Sequence, residues 1–284
     1  MQLVLPDVTL KLKALQEANL LKGQTADQIL SRISTSNLLS ETLSGAIYAQ
    51  ECVPESLEMK AKVFKDLDEK AEVHTILASS TSSIPASRFT ESLTHRSRCI
   101  VAHPINPPHI VPLVEIVPSP WTDPSVVSKT RSIMTEVGNA PIVLKKEVLG
   151  FAQNRLQYAL LAEAMRLVED GVLSPGDVDT AVMHGLAARW SFMGPFQTID
   201  LNAPKGVGDY CSRYLGGIYN VLKEEDNSRQ FSQETVLKIE EHQRSLYPQS
   251  DIPLATKWRD ARLMALATHH VQTQQIDEAL FPKK

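Results

Sequence analysis

Short apolar runs alternate with stretches of helical period through the first half of the chain, and few folds accommodate that rhythm. The runs fall at Ala46 to Val53, Val73 to Ala78, Ile100 to His103, Pro112 to Val117 and Pro141 to Leu144. Between them, Ser56 to Lys70 reads as an amphipathic helix capped by Ser56. A short helix falls near Pro85 to Leu93, and another, Asp123 to Glu136, carries Pro124 in its first turn. Two further helices occupy Val8 to about Ile33, broken at Gly23-Gln24-Thr25 with Thr25 as a cap. Strands that alternate with helices predict βαβ units and a parallel sheet. The rhythm ends near Gly150. Beyond it every segment is of helical type: Phe151 to Asp170, Ser174 to His184, Gly206 to Lys223, Ser232 to Leu246 and Pro253 to about His270. The expected class is α/β, with an α/β domain over residues 1–148 and a helical domain over 149–284.

The run at Ile100 stops at His103, because Pro104, Pro107 and Pro108 bar both a helix and a central strand. His103 therefore stands at a strand end, and in open α/β sheets the carboxyl ends of the strands face the ligand crevice. A titratable group there is a candidate for proton transfer. The next run carries one charge, Glu115, which a buried strand tolerates only with a partner. His103 is a candidate for that partner: a carboxylate that accepts the imidazole N–H fixes the tautomer and stabilises the imidazolium. A loop histidine and an edge-strand glutamate that never meet is an equal alternative.

Two other element junctions are polar. Ser79-Ser80-Thr81-Ser82-Ser83 ends the second run, and Gly150-Phe151-Ala152-Gln153-Asn154-Arg155 opens the first long helix. Each has a plain reading, a capping turn for Ser82-Ser83 and a solvent-facing or capping residue for Asn154. With His103 they could supply what oxidation of an alcohol by hydride transfer needs: a base, its orienter, and hydrogen-bond donors for the substrate oxygen. Other classes are disfavoured. A net charge of −4 with scattered basic residues leaves no footprint for nucleic acid or an acidic membrane surface. No stretch of about 18 apolar residues is present to span a bilayer. Cys52, Cys99 and Cys211 are too far apart to suggest a disulfide framework or a zinc site, so no metal is expected and a reducing, cytoplasmic setting fits. The run Lys223-Glu224-Glu225-Asp226 reads as solvated, and Gly206-Val207-Gly208 as a helix-start loop.

S-S-T-S-S at 79 to 83, H-P-I-N-P at 103 to 107, L-V-E at 113 to 115, G-F-A-Q-N-R at 150 to 155 and M-G-P-F at 193 to 196 come in a telling order and spacing. In these motifs the chain resembles the 3-hydroxyacyl-CoA dehydrogenase superfamily, from roughly Leu10 to Met264. The acyl-CoA enzymes follow the histidine with two aromatics, whereas this chain has Pro104-Ile105. That difference, Q-E-C-V-P-E at 50 to 55 and K-W-R-D at 257 to 260 resemble the lambda-crystallin branch. The resemblance implies a Rossmann-type, doubly wound NAD-binding domain and an all-α C-terminal dimerisation domain. It also implies a homodimer, NAD as cofactor, and oxidation of a free 3-hydroxy acid, L-gulonate to 3-dehydro-L-gulonate. It makes His103 the general base, Glu115 its orienting carboxylate, and Ser82 and Asn154 the holders of the substrate oxygen. Glu55 and Lys60 would contact NAD, as would Ser82 and Asn106 on the nicotinamide side. A 3-hydroxyacyl-CoA substrate is the alternative within the superfamily. A free acid calls for a cation, for which Arg189 and Arg259 are candidates, each more simply read as a surface salt bridge. Tyr158, Leu160, Leu161, Met165, Tyr214, Ile218, Tyr219 and Leu222 read as core or subunit interface.

The superfamily opens with a strand, a G-x-G-x-x-G turn and a helix whose N-terminus binds pyrophosphate, and this chain contains no such motif. Met1 to Asp7 read as a replacement leader. The sheet is therefore expected to be N-terminally truncated, lacking the first strand, turn, helix and strand. Two readings follow: a dehydrogenase whose catalytic half is intact, in a truncated form or incomplete gene model, or a non-catalytic, crystallin-like structural or binding protein without NAD affinity.

Overall fold

The computed structural model of the chain describes residues 4–224 and 230–280, with side chains described as far as Gln274. Two compact units make it up. The first holds the chain up to Leu156 and takes it in again from Trp258, and the second is Gln157–Lys257.

In the first unit the elements are α1 (Val4–Glu17), α2 (Ala26–Leu30), α3 (Leu39–Leu43), β1 (Tyr48–Glu51), α4 (Leu57–Lys70), β2 (Ile76–Ser79), α5 (Ser87–Thr90), β3 (Cys99–Pro104), β4 (Leu113–Pro118), α6 (Pro124–Glu136) and β5 (Ala140–Val143). The strands form one sheet in the order β1-β2-β3-β4-β5. Local chemistry sets the helix starts. Thr25 closes a capping box with Gln28, Ser56 accepts from the Met59 N–H, and Asp123 from the Ser125 N–H ahead of Pro124. The residues read as a leader are the first turn of α1 from Val4 onward, while residues 1–3 lie outside the described part. Near Pro85 only the four residues of α5 are α-helical.

The period-two alternation of the strands buries both faces of the sheet. Leu77, Val101 and Val117 point to one side, against Phe64 and Leu67 of α4 and Phe89 of α5. Ile76, Ala78, Ile100, Val114 and Ile116 point to the other, against Val126 and Met134 of α6. A buried ion pair ties the end of α4 to the start of β3: Arg98 Nη2 lies 2.9 Å from Asp68 Oδ1 and 2.8 Å from the Asp68 carbonyl.

The sheet is mixed, which corrects the expectation of parallel strands throughout. β1, β2 and β3 run parallel, and so do β4 and β5, but β3 and β4 are antiparallel. The reason lies in the connector Ile105 to Pro112. It contains no helix and is too short for the crossover that a parallel pair requires. The reversal matters, because it sets His103 directly opposite Glu115.

α7 (Gln153–Glu169) carries the chain from the first unit into the second, which contains α8 (Pro175–Ala181), α9 (Ala187–Trp190), α10 (Pro195–Asp200), α11 (Val207–Glu224) and α12 (Gln233–Leu246). α8 passes into a π-helical turn at Val182–Leu186. Gly206, at φ 78°, does open a helix-start loop: the Val207 N–H donates to Asp200 Oδ1 at 2.7 Å. No residue of α11 is buried, so Tyr214, Ile218, Tyr219 and Leu222 form an exposed apolar face. Glu225 and Asp226 of the acidic run lie outside the described residues. α13 (Ile252–Leu280) is longer than the expected Pro253 to His270 and returns the chain to the first unit.

Candidate active site

His103 and Glu115 are partners across an antiparallel pair, so both side chains leave the same face of the sheet. His103 Nδ1 lies 2.9 Å from Glu115 Oε2, with both residues buried. Among the described residues no hydrogen bond reaches His103 Nε2. The other Glu115 oxygen accepts two backbone N–H groups, from Ala152 at 2.8 Å and Gln153 at 2.9 Å. These are unpaired donors at the start of α7, where the helix dipole also favours an anion. Burial would push the Glu115 carboxyl up, but the hydrogen bonds from His103, Gln153 and Ala152 outweigh it and hold the carboxyl below its ordinary value of 4.5.

The approach to α7 is shaped for this contact. Gly150 at φ 73° and Phe151 at φ 51° are both left-handed, a costly conformation for a non-glycine residue. Phe151 is fully buried in the core beneath α4, and its ring stands 5.7 Å from the His103 ring. The buried aromatic anchors the turn that aims the two N–H groups at Glu115. Residue type alone gave no sign of these amides, although the doublet Gly150-Phe151 before a helical stretch is a signal for such a turn.

A second polar network organises the serine run at the end of β2. Glu55 Oε1 accepts from Thr81 Oγ1 at 2.6 Å, Ser82 N at 3.1 Å, Ser83 N at 3.0 Å and Ser83 Oγ at 3.2 Å. Glu55 Oε2 faces Lys60 Nζ at 3.5 Å. Burial again pushes this carboxyl up, and Thr81, the Ser83 N–H and the Lys60 charge bring it below its ordinary value. Lys60 is only 1% exposed. Its ammonium sits 3.2 Å from Glu51 Oε1 and 3.3 Å from the Val53 carbonyl, while Glu51 Oε2 accepts from Ser79 Oγ. Lys60 shares one face of α4 with Phe64 and Leu67, at i, i+4 and i+7, which is the signal that it points inward.

Asn154 joins the two networks. Its Nδ2 donates to the Ser82 carbonyl at 2.8 Å, bringing the head of α7 to the serine run. Ser82 and Asn106 are both exposed, each just beyond the carboxyl end of a strand, β2 and β3 respectively. Ser82 and Asn154 thus meet just beyond the carboxyl end of β2, and His103 pairs with Glu115 at the carboxyl end of the neighbouring β3, with Glu55 and Lys60 bracing the serine run. Arg259 is engaged by Asp260 at 2.7 Å, and Arg189, in the second unit, donates to the Gly185 carbonyl at 3.4 Å. Among the described residues no group of three or more His, Cys, Asp or Glu is placed to hold a metal, and no helix is long and apolar enough to cross a membrane.

Residues 3–148 match the NAD-binding domain model of the 3-hydroxyacyl-CoA dehydrogenases, and residues 150–244 match their C-terminal domain. The chain belongs to the 3-hydroxyacyl-CoA dehydrogenase family. It is an NAD-dependent hydroxy-acid dehydrogenase by that membership. A lambda-crystallin homolog of Bos taurus is 46% identical over 260 residues, covering 90% of this chain and 81% of that protein. L-carnitine dehydrogenase of Pseudomonas sp is 41% identical over 180 residues, 63% of this chain and 56% of that enzyme. Among solved structures, that of 5-formyl-3-hydroxy-2-methylpyridine 4-carboxylic acid 5-dehydrogenase, an NAD-dependent dismutase, superposes with a TM-score of 0.74 at 27% identity, covering 91% of this chain and 82% of the other. Ser82 and Asn106 leave exposed polar side chains just beyond the ends of β2 and β3, the kind of group that an amide-bearing ring such as nicotinamide calls for. The loop from Cys52 to Ser56 that leads from β1 into α4 contains no glycine, so it offers no glycine turn for the pyrophosphate.

Proposed function

We propose that the chain oxidises a free 3-hydroxy acid, L-gulonate to 3-dehydro-L-gulonate, with His103 as general base. The observation that carries the reading is the His103–Glu115 contact of 2.9 Å, braced from behind by the two α7 amides. His103 Nε2 takes the hydroxyl proton, while bound NAD would supply the hydride acceptor for the carbinol carbon. Glu115 accepts from Nδ1, leaving Nε2 as the acceptor, and its negative charge offsets the positive charge that His103 gains. Asn154 spends one Nδ2 hydrogen on the Ser82 carbonyl, so its second hydrogen and the Ser82 hydroxyl remain for the substrate oxygen. Glu55 positions Ser82 and Ser83, and buried Lys60 acts on the cofactor edge through Glu55. Ser82 and Asn106 would hold the nicotinamide side of NAD. The substrate rests on the lambda-crystallin relatives and on Pro104-Ile105, which stand where the acyl-CoA enzymes have two aromatics.

The exposed apolar face of α11 supports a homodimer, and three distant free cysteines support a cytoplasmic setting. The deciding experiment follows NADH formation from L-gulonate by the wild-type chain and by His103→Gln. Turnover by the first and its loss in the second, with NAD affinity retained, is the expected result. Near-normal rates in His103→Gln remove His103 from the role of base.

A further inference from the structure

The first unit contains a cavity of about 610 Å³ whose lining includes none of His103, Glu115, Ser82 and Asn154. Its walls are apolar: Leu15 and Leu20 from the end of α1 and the turn after it, Ile110 and Val111 from the β3–β4 connector, and Leu263 and Leu266 from α13. The packing that frames it is specific, since Thr268 Oγ1 on α13 donates to the Ala18 carbonyl at 3.1 Å. The volume falls within the range of about 300–1,000 Å³ typical of small-molecule sites.

The polar lining is one-sided. Among the described residues, Lys22, His109, His270 and Asn19 contribute to it, and no acidic residue does. Lys22 has no ion-pair or hydrogen-bond partner among the described residues. Its ammonium lies against Gly138, at φ 98°, where the Cβ of any other residue would collide with Nζ. The glycine thus leaves room for the cation at the rim. Burial and then nearby Lys11 pull His109 below its ordinary value, against Asp260 and Asp7, so His109 serves as a neutral hydrogen-bonding group and Lys22 as the fixed charge.

An apolar chamber with the Lys22 ammonium at its rim and, among the described residues, no anion in its lining matches one ligand chemistry. We propose that this cavity binds an amphipathic carboxylic acid, its alkyl chain between α1 and α13 and its carboxylate at Lys22. The site is separate from the one that binds the hydroxy acid. His109 to Pro112 of its lining belong to the connector between β3, which carries His103, and β4, which carries Glu115.

Decanoate is the probe, titrated calorimetrically into the full chain. Saturable binding of one decanoate per chain is expected, with Lys22→Met and the neutral analogue decanol each weakening it at least tenfold. Ala267→Trp, which fills the chamber from α13, is expected to abolish binding, and circular dichroism reports whether that variant folds. Lys22 is at the exposed rim, so Lys22→Met decides the matter even if Ala267→Trp does not fold. His103→Gln is expected to leave decanoate affinity unchanged. The proposal is overturned by the absence of saturable heat with the folded wild-type chain, or by equal affinity in Lys22→Met. Loss of binding in His103→Gln also overturns it, because the acid would then occupy the hydroxy-acid site.

Discussion

Replacing Glu115 by Gln isolates what the carboxylate does for His103. Ala152 and Gln153 both donate to Oε1, so in the variant the amide oxygen must take that place, since an NH₂ group there would face two donors. The amide nitrogen is then left facing His103 Nδ1, at the present 2.9 Å. Nδ1 has to accept, which puts the imidazole proton on Nε2, and an Nε2 that carries a proton cannot take one from substrate. The lost charge removes the support for the imidazolium as well. A wrong tautomer combined with a lost charge costs about 10³- to 10⁴-fold in kcat, or about 4 to 5.5 kcal/mol of transition-state stabilisation. Both α7 amides keep an acceptor, so the fold and NAD affinity should hold. The assay is steady-state NADH formation, with circular dichroism and NAD calorimetry on the same preparation. A variant within tenfold of wild type that folds and binds NAD normally would refute the reasoning, because it would show that Glu115 does not set the tautomer.

Other consequences follow from the same contacts. Glu55→Ala releases the four hydrogen bonds that shape residues 81–83, and should raise KM for NAD more than it lowers kcat; a change confined to kcat would count against its positioning role. Phe151→Ala empties a fully buried ring site beside His103 and should cost about 3–5 kcal/mol in denaturant unfolding. Arg98→Met leaves Asp68 buried without its guanidinium, and should cost about 3–5 kcal/mol. Glu115, Glu55 and Asp68 are all held below their ordinary values of 4.5, 4.5 and 3.8, despite burial that acts in the other direction. Their contribution is fully present above those values and is lost as pH falls through the lower folded-state ones. Thermal melts should therefore be flat from pH 7 to about 5 and fall steeply below about 4.

Much of this was legible because the deciding physics is local. Thr25, Ser56 and Asp123 cap the helices that their positions announced, since an N-cap needs only a short polar side chain and the next few N–H groups. His103 and Glu115 were readable as a pair because one interrupts an apolar strand and the other sits charged inside one. The antiparallel turn between their strands was missed, as the strand rhythm alone does not reveal that Ile105 to Pro112 is too short for a crossover. The amides of Ala152 and Gln153 have no residue signature, every non-proline residue having an N–H. The resemblance alone marks Lys60 as a cofactor contact; its spacing with Phe64 and Leu67 adds that it points inside, onto Glu51 and Glu55.

The account depends first on NAD, because the residues at the strand ends are assigned to a reaction that requires it. Calorimetric titration of the purified chain of 284 residues with NAD tests this without any assumption about substrate. The account predicts saturable binding in the micromolar range, about −8 kcal/mol. A folded chain that gives no detectable heat of binding would contradict it.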